Sequence, residues 1–185
     1  TAVNTGTIGS YPVRYNVVDS SGNPATQVTR VVDVVDTTAP SITLIGSGTQ
    51  TIEVGSPYFE LGAIAVDNYD GDITGAIVVD SSAVDTSTLG TYQVTYDVVD
   101  SAGNPAPQVT RSVEVVDSTP PAILVVGPNP MAIEIGGTYT ELGATAFDNY
   151  DGDLTSSINI DSSSVDTSAT GLYVVSYSVS DSSGN

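Results

Sequence analysis

The feature that most constrains this chain is an internal repeat with a fixed step of 81 residues. Asp36-Thr37-Thr38-Ala39-Pro40 recurs 81 positions later as Asp117-Ser118-Thr119-Pro120-Pro121. The acidic segment at 67–72 recurs at 148–153 with the same six residues. No insertion or deletion interrupts the step. A period of this length is typical of small domains arranged in tandem.

The phase of the repeat predicts three parts. Residues 1–36 are the C-terminal part of a repeat, residues 37–117 are a complete repeat, and residues 118–185 are a repeat that lacks its last strand. Two interpretations remain open. The chain is a window on a longer tandem array, which we favour, or copies complete each other's sheets by donor-strand exchange.

Short runs rich in Val, Ile, Thr and Tyr between turn residues predict an all-β fold. In the longest run Tyr92, Val94, Tyr96 and Val98 share one face, and Leu61 is expected to share a face with two alanines at 63 and 65. About seven strands per repeat and no helical period indicate tandem Ig-like β-sandwich domains arranged as a rod. The strands of the complete repeat are predicted at 41–45, 51–54, 61–66, 76–79, 84–86, 91–99 and 108–116.

The charge balance limits the chemistry of the chain. It carries 22 Asp and Glu against 3 basic residues, for a net charge of −19, and it has no His and no Cys. Imidazole or thiol catalysis, zinc binding through those groups and disulfides are thereby excluded. The charge argues against nucleic acid and anionic membranes as partners, and no apolar run is long enough for membrane insertion. What remains is oxygen, the ligand that Ca²⁺ prefers.

The segment at 67–72 is the first candidate calcium site. Asp67, Asp70 and Asp72 place three carboxylates in six residues, and Gly71 allows the sharp turn that brings alternate oxygens together. The alternative is a solvated acidic turn. We favour the metal because the second copy keeps every ligand type, at Asp148, Asp151 and Asp153.

Four motifs of the complete repeat resemble bacterial Ig-like surface repeats. They are Asp-Thr-Thr-Ala-Pro at 36–40, Val-Asp-Asn-Tyr-Asp-Gly-Asp-Ile-Thr at 66–74, Val-Asp-Thr-Ser-Thr-Leu-Gly-Thr-Tyr at 84–92 and Val-Asp-Ser-Ala-Gly-Asn-Pro at 99–105. The repeat is similar to the Ig-like domain named after a pesticidal crystal protein and to the hyalin-repeat type. The resemblance implies an extracellular tandem stalk, secreted or attached to the cell surface and often bound to Ca²⁺. It is weak for function, because such modules are spacers in adhesins, secreted enzymes and matrix proteins.

An Ig-like topology adds ligands to the acidic loop, because the linker and two loops meet at one pole of the sandwich. We expect Asp36, Asp100 and Asn104 there in one repeat. Their counterparts in the next repeat are Asp117, Asp181 and Asn185, and Asp19 belongs to the pole of the first fragment. Our hypothesis is that Ca²⁺ bridges loop and linker and fixes the angle between domains. The opposite pole of the preceding domain carries Glu60, Asp80 and Asp85, which could add further ligands. A weaker variant confines the ions to single loops.

The same pattern favours a structural protein over an enzyme or a receptor. Carboxylates clustered in one turn of every repeat suit metal coordination, whereas a glycosidase needs two that flank a cleft. The expected partners are neighbouring repeats or copies, end to end. An adhesin module that binds glycan or protein is the alternative, because Tyr69 and Tyr150 lie in the acidic loops, where they either pack at a domain junction or contact a ligand. Arg111 is predicted to pair with a carboxylate at a sheet edge or to discourage edge pairing.

Overall fold

The computed structural model describes residues 2–185, which form 14 strands and two short 3₁₀ turns, at Thr74–Ala76 and Thr155–Ser157. Within this range no helix is long and apolar enough to cross a membrane. The all-β prediction is confirmed. The strands are β1 (Gly9–Tyr15), β2 (Val28–Val34), β3 (Ser41–Leu44), β4 (Thr49–Glu53), β5 (Ala63–Asp67), β6 (Gly71–Asp72), β7 (Val78–Asp80), β8 (Gly90–Asp97), β9 (Val109–Val116), β10 (Ala122–Val125), β11 (Ala144–Asp148), β12 (Gly152–Asp153), β13 (Asn159–Asp161) and β14 (Ser176–Ser178).

Residues 37–117 form the two sheets of an Ig-like β-sandwich. One sheet has the strand order β3-β5-β6 and the other has the order β4-β9-β8-β7, so this repeat has the seven strands expected of it. The first fragment is the antiparallel pair β1-β2. Residues 118–185 form a sheet β10-β11-β12 and a pair β13-β14. The counterpart of β4, at residues 130–134, is not a strand.

One predicted strand is wrong. Residues 84–86 form no strand, and the two-residue strand β6 in the acidic loop makes up the count of seven. The reason is local hydrogen bonding. Asp80 accepts from the main-chain N–H of Ser82, and Asp85 accepts from that of Ser87, each at 2.9 Å. Such Asx turns compete with the ladder of a sheet.

The chain divides into two compact units. The first comprises the residues up to Gln50, Phe59–Val84 and Gln93–Ser112; the second comprises Thr51–Tyr58, Asp85–Tyr92 and Val113–Asn185. The alternation predicted for 91–99 is confirmed where it enters the first core, because Val94, Tyr96 and Val98 are buried with Ala63 and Ala65. Leu61 precedes β5 and is exposed, so its predicted place on that face is wrong. The buried apolar residues of the second unit are Val54, Val113, Val115, Ala144 and Ala146.

The edge role predicted for Arg111 is also wrong. Arg111 has no exposed surface and lies on β9, which pairs with β4 on one side and β8 on the other. Its guanidinium donates to the main-chain oxygens of Ser47 at 2.7 Å, Ile45 at 2.8 Å and Gly62 at 3.0 Å. Nε donates to the Tyr96 hydroxyl at 3.0 Å. These four acceptors replace water around the guanidinium. The charge of Arg111 is therefore buried on a central strand and does not lie at a sheet edge.

A tyrosine corner recurs in each repeat. The Tyr92 hydroxyl donates to the main-chain oxygen of Thr88 at 2.9 Å. The counterparts Tyr11 and Tyr173 donate to residues four positions upstream, at 2.8 and 3.2 Å. The sequence Gly90-Thr91-Tyr92 at the start of the longest strand is compatible with a tyrosine corner and with a simple core aromatic, and the hydrogen bond of Tyr92 to Thr88 shows the corner.

Candidate metal centre

The acidic loop begins at Asp67, the last residue of β5. Its Oδ1 accepts from the main-chain N–H groups of Tyr69 and Asp70, at 2.8 and 2.9 Å, and Gly71 completes the turn with a φ of 74°. The side chain is 5% exposed, and Oδ2 is buried with no hydrogen-bond partner. One oxygen therefore holds the loop while the other is left desolvated and unpaired, a cost that a protein carboxylate does not normally bear.

The second copy of the loop repeats this geometry. Asp148 accepts from Tyr150 and Asp151 at the same two distances, and Gly152 has a φ of 75°. Asp148 is only 1% exposed, and its Oδ2 again has no partner. Because two segments 81 residues apart leave the equivalent oxygen unpaired, the arrangement is a property of the repeat.

In each unit the linker adds a carboxylate to the two that come from the loops. In the first unit, oxygens of Asp36, Asp67 and Asp100 lie within 4.8 Å of one another. Asp36 uses Oδ1 to accept from the main-chain N–H of Thr38 at 3.1 Å, whereas its Oδ2 is buried without a partner. The acidic loop, the loop after β8 and the linker therefore meet, as the Ig-like topology predicted.

The second unit has the equivalent cluster. Oxygens of Asp117, Asp151 and Asp181 lie within 4.8 Å of one another. Burial raises the pKa of Asp117, and the negative charges of Asp148 and Asp181 add to the rise. The charges of Asp148 and Asp181 therefore act on Asp117, and they disfavour its ionised form.

An asparagine fixes the loop that follows β8. Asn104 donates to Asp100 from its main-chain N–H and from Nδ2, both at 2.7 Å. Burial raises the pKa of Asp100, but these hydrogen bonds outweigh it and the net shift is downward. Asn185 holds Asp181 in the same way, at 2.8 and 3.0 Å. Both asparagines position an ionised carboxylate in its cluster.

Asp70 connects the acidic loop to the loop after β8. It accepts from Ser101 through the main-chain N–H and the hydroxyl, both at 2.7 Å. In the second copy Asp151 accepts from Ser182 at 2.6 and 2.9 Å. These contacts hold the acidic loop against the loop after β8 or its counterpart.

Five of the predicted carboxylate ligands lie outside the two clusters found among residues 2–185: Asp70 and Asp148 belong to the acidic loops without joining a cluster, and Asp72, Asp153 and Asp19 cap turns. Asp72 and Asp153 are exposed, and each accepts from the main-chain N–H of the threonine two positions on, at 2.9 Å. Asp19 is also exposed and accepts from Ser21 and Asn23 in its own turn. The structure thus separates carboxylates that cap a turn from those that converge.

The sequence reasoning missed Glu53, which contacts the next linker. Its carboxylate accepts from the hydroxyls of Ser118 and Thr119, both at 2.7 Å, and from the main-chain N–H of Ser118. These bonds, with a smaller one from Asn149, lower the pKa of Glu53 to about 2. The only signal in the sequence is that Ile-Glu-Val-Gly at 52–55 recurs as Ile-Glu-Ile-Gly at 133–136.

The clusters fit a hard divalent cation. Two oxygens bound to one Ca²⁺ at about 2.3–2.6 Å are at most about 5 Å apart, which matches carboxylate oxygens that lie within 4.8 Å of one another. Buried carboxylate oxygens without hydrogen-bond donors, on Asp36 and Asp67, are suited to a positive partner. The donors are all oxygen, so zinc or copper is a poorer fit than calcium.

Comparison with known proteins agrees with the fold. The profile of the family described as bacterial surface protein, Ig-like domain, matches residues 42–115 and 123–185. Hyalin of Strongylocentrotus purpuratus is 31% identical over 193 residues, which cover 96% of this chain and 15% of hyalin.

Two further relatives are similar over most of the chain. Pesticidal crystal protein Cry22Aa of Bacillus thuringiensis is 33% identical over 192 residues, covering 98% of this chain and 25% of that protein. Hyalin of Lytechinus variegatus is 34% identical over 149 residues, covering 75% and 28%. The chain therefore spans less than a third of the length of each of these relatives.

Proposed function

Because the chain belongs to the bacterial surface protein Ig-like domain family, we propose that it is a structural module of an extracellular stalk or fibre, with Ca²⁺ bound where each linker enters a repeat. The family resemblance predicted from the motifs is confirmed. Calcium, the end-to-end partners and the extracellular location are parts of the proposal. The module serves as a spacer and has no catalytic role.

One observation carries the proposal. A linker carboxylate and two loop carboxylates converge in each unit. Asp36 and Asp67 of the first cluster, and Asp148 of the second acidic loop, each have a buried oxygen without a hydrogen-bond partner. Three negative charges a few ångströms apart repel one another, by about 1 kcal/mol per pair even at the dielectric constant of water. A divalent cation converts that repulsion into attraction, so the arrangement is stable as a loaded site.

Asp36, Asp67, Asp70 and Asp100 would hold the ion in the first unit, and their counterparts Asp117, Asp148, Asp151 and Asp181 would hold it in the second. Ca²⁺ binds about six to eight oxygens in a flexible geometry, whereas Mg²⁺ requires a nearly ideal octahedral geometry. A shell that draws ligands from three separate segments, with differing distances, suits Ca²⁺.

The proposed stiffening of the stalk depends on the linker, because the linker supplies one of the ligands. Asp36 and Asp117 open the linkers Asp36–Pro40 and 117–121, which are short and end in proline. An ion that joins the linker to the loops of the following repeat removes the rotational freedom of the linker, which is small already. Calcium removal would restore that freedom and add charge repulsion, so the stalk would soften.

The test is calorimetric titration of Ca²⁺ into the chelator-treated chain. The double variant Asp67→Asn, Asp148→Asn removes one charge from the proposed ligands of each unit and is expected to weaken binding at least about tenfold, or about 1.4 kcal/mol. The matched control is Asp72→Asn, Asp153→Asn, which removes the same charge from turns outside the clusters. Equal losses in both variants, or no heat of binding, would refute the calcium proposal.

Stiffening of the stalk is measured separately from calcium binding. Small-angle scattering of a longer chain, in which several such repeats are joined in tandem, is expected to show a larger maximum dimension in Ca²⁺ than in EGTA. Binding without any change in that dimension would leave the ions confined to single repeats and remove the stiffening role.

An adhesin module is the second candidate. Its support is that Tyr69 and Tyr150 are 44% and 38% exposed within the acidic loops. Tyr150, however, lines a small cleft with Val54, Gly55 and Ser87, which is what packing inside the second unit requires. A glycan array with reproducible Ca²⁺-dependent hits, lost in Tyr69→Ser, would favour the adhesin.

A further inference from the structure

The end of β4 lies against the linker that follows β9. The main-chain N–H of Val54 donates to the main-chain oxygen of Val116 at 2.8 Å, so the two strands end side by side. Glu53 is the last residue of β4 and therefore lies beside residues 118 and 119 of the linker. All of these residues belong to the second compact unit. A side chain of one repeat thus reaches the segment that opens the next repeat.

The carboxylate of Glu53 holds the linker directly beside a proposed calcium ligand. It accepts from the hydroxyls of Ser118 and Thr119, both at 2.7 Å. Asp117, the linker carboxylate of the second cluster, immediately precedes these residues and is 8% exposed. Hydrogen bonds to an ionised carboxylate are stronger than those between neutral groups. The backbone that carries Asp117 is therefore fixed by a residue outside the cluster.

The acidic loop of the same repeat contacts the same end of β4. The side chain of Asn149 adds a smaller hydrogen bond to the carboxylate of Glu53. Asn149 and Tyr150 also line a small cleft with Val54 and Gly55, the two residues that follow Glu53. Glu53 therefore contacts both segments that bring carboxylates to this site, the linker and the acidic loop.

Within the acidic loop, the residues that contact β4 are flanked by proposed ligands. Asp148 precedes Asn149, and Asp151 follows Tyr150. Asp148 uses Oδ1 to accept from the main-chain N–H groups of Tyr150 and Asp151, at 2.8 and 2.9 Å, whereas its Oδ2 is buried without a partner. A displacement of the backbone at 149–150 therefore moves the unpaired oxygen of Asp148 and the carboxylate of Asp151 together.

We propose that Glu53 is a positioning residue for the calcium site of the following repeat, because it ties the linker to the acidic loop. The inference rests on the calcium function proposed above. Both oxygens of Glu53 accept hydrogen bonds from the linker, so Glu53 acts through the ligands and is not one of them. The site at Asp117, Asp148 and Asp151 is thus built from two repeats, and its calcium affinity depends on the contact with the preceding repeat.

Calcium titrations of chains that keep one intact site test this inference. In a chain carrying Asp67→Asn the intact site is that of the second unit, and adding Glu53→Gln should weaken it about ten- to hundredfold, the usual effect of losing a residue that orients metal ligands. In a chain carrying Asp148→Asn the intact site is that of the first unit, and Glu53→Gln should change its affinity less than about twofold. Glu134→Gln removes an equal charge from an exposed position of the second unit and should leave both affinities unchanged.

A neutral variant separates positioning from the loss of a negative charge near the ion. Ser118→Ala combined with Thr119→Val removes both hydroxyl bonds to Glu53 and leaves the net charge as it is. It should weaken the second-unit site at least about fivefold. The control is Ser168→Ala, which removes a hydroxyl bond to Asp166 in an exposed turn of the same unit and should have no effect on calcium affinity.

Hydrogen exchange in EGTA measures the positioning without any metal. The amides of Tyr150 and Asp151 should exchange at least about tenfold faster in Glu53→Gln than in the parent, because the acidic loop opens locally more often. The amides of Tyr69 and Asp70 make the same hydrogen bonds in the first acidic loop and should keep their rates.

The outcomes distinguish this inference from the calcium function on which it rests. Equal weakening of both sites by Glu53→Gln, an unchanged affinity in the neutral variant, or unchanged exchange of the Tyr150 and Asp151 amides would overturn the positioning role and leave the calcium function standing. Absence of calcium binding by the parent chain would refute the calcium function and this inference with it.

Discussion

Asn104 donates from Nδ2 to the main-chain oxygen of Asp36 at 3.3 Å, across 68 positions of sequence. The same amide group holds the carboxylate of Asp100 at 2.7 Å. Asn185 makes the equivalent bond to Asp117 at 3.1 Å, also across 68 positions. One amide therefore ties the linker backbone to the loop that supplies a carboxylate to the cluster, so the linker is held at this point by protein atoms alone.

Asn104→Ala should lower the free energy of unfolding by about 1–2 kcal/mol, because two hydrogen bonds to partly buried acceptors are lost. Urea denaturation in EGTA measures this effect without any contribution from metal. The control is Asn23→Ala. Asn23 makes the same side-chain bond to Asp19 in an exposed turn, and we expect it to cost less than about 0.5 kcal/mol. Equal losses would show that the linker bond contributes nothing.

Arg111→Met keeps most of the length of the side chain but removes four hydrogen bonds, to Tyr96 and to the main-chain oxygens of Ser47, Ile45 and Gly62. The buried acceptors are left unsatisfied, so we expect a loss of about 3 kcal/mol or more. Arg111→Lys should recover only part of it, since an ammonium group cannot reach acceptors arranged for a planar fork. Thermal unfolding, compared with the exposed Arg14→Gln, checks this; a loss below about 1 kcal/mol would contradict it.

The period of two in the strand at 91–99 was sufficient to predict which side chains enter the core, because one face of a strand in a sandwich is buried. The burial of Arg111 was not predictable in this way. An arginine in phase with valines is compatible with a sheet edge and with a buried site. Only the strand order, which places β9 between two neighbours, decides between them.

In the acidic loop, too, the sequence alone does not decide the structural role of a single residue. Its composition indicated an oxygen site, but Asp67 and Asp72 are chemically identical in the sequence. They differ because Asp67 ends β5 and is buried, whereas Asp72 lies after Gly71 and accepts from the N–H of Thr74. Glu53 was missed because its partners Ser118 and Thr119 lie 65 and 66 positions away.

Glu53→Gln should destabilise the chain in a pH-dependent way. The folded pKa of Glu53 is lowered from 4.5 to about 2 by the hydroxyls of Ser118 and Thr119. A lowered pKa means that the ionised form contributes stability above the unfolded value, and that this contribution is lost as the pH falls toward about 2. The difference in unfolding free energy between the variant and the parent should therefore be largest above about pH 5 and shrink steadily below it.

Glu134→Gln is the matched control for this measurement, because Glu134 occupies the same position in the next repeat and is exposed. Guanidinium denaturation of both variants at a series of pH values from 6 to about 3 separates the Glu53 contribution from that of the other carboxylates. A Glu53→Gln effect that stays constant over this range would show that the carboxylate is not bonded to the linker.

Gly71→Ala should cost about 1 kcal/mol, because Gly71 has a φ of 74°, a left-handed conformation that disfavours a side chain. A Cβ at this position would meet nothing within 4 Å, so the cost is that of the backbone alone. Gly75→Ala is the control: its Cβ would also meet nothing within 4 Å, and its backbone is not left-handed. The turn at Gly71 is part of the loop that carries Asp67 and Asp70, so Gly71→Ala should also weaken Ca²⁺ binding in the calorimetric titration while Gly75→Ala leaves it unchanged. If Gly71→Ala lowers stability without changing calcium affinity, the turn shapes the fold but does not position the ligands.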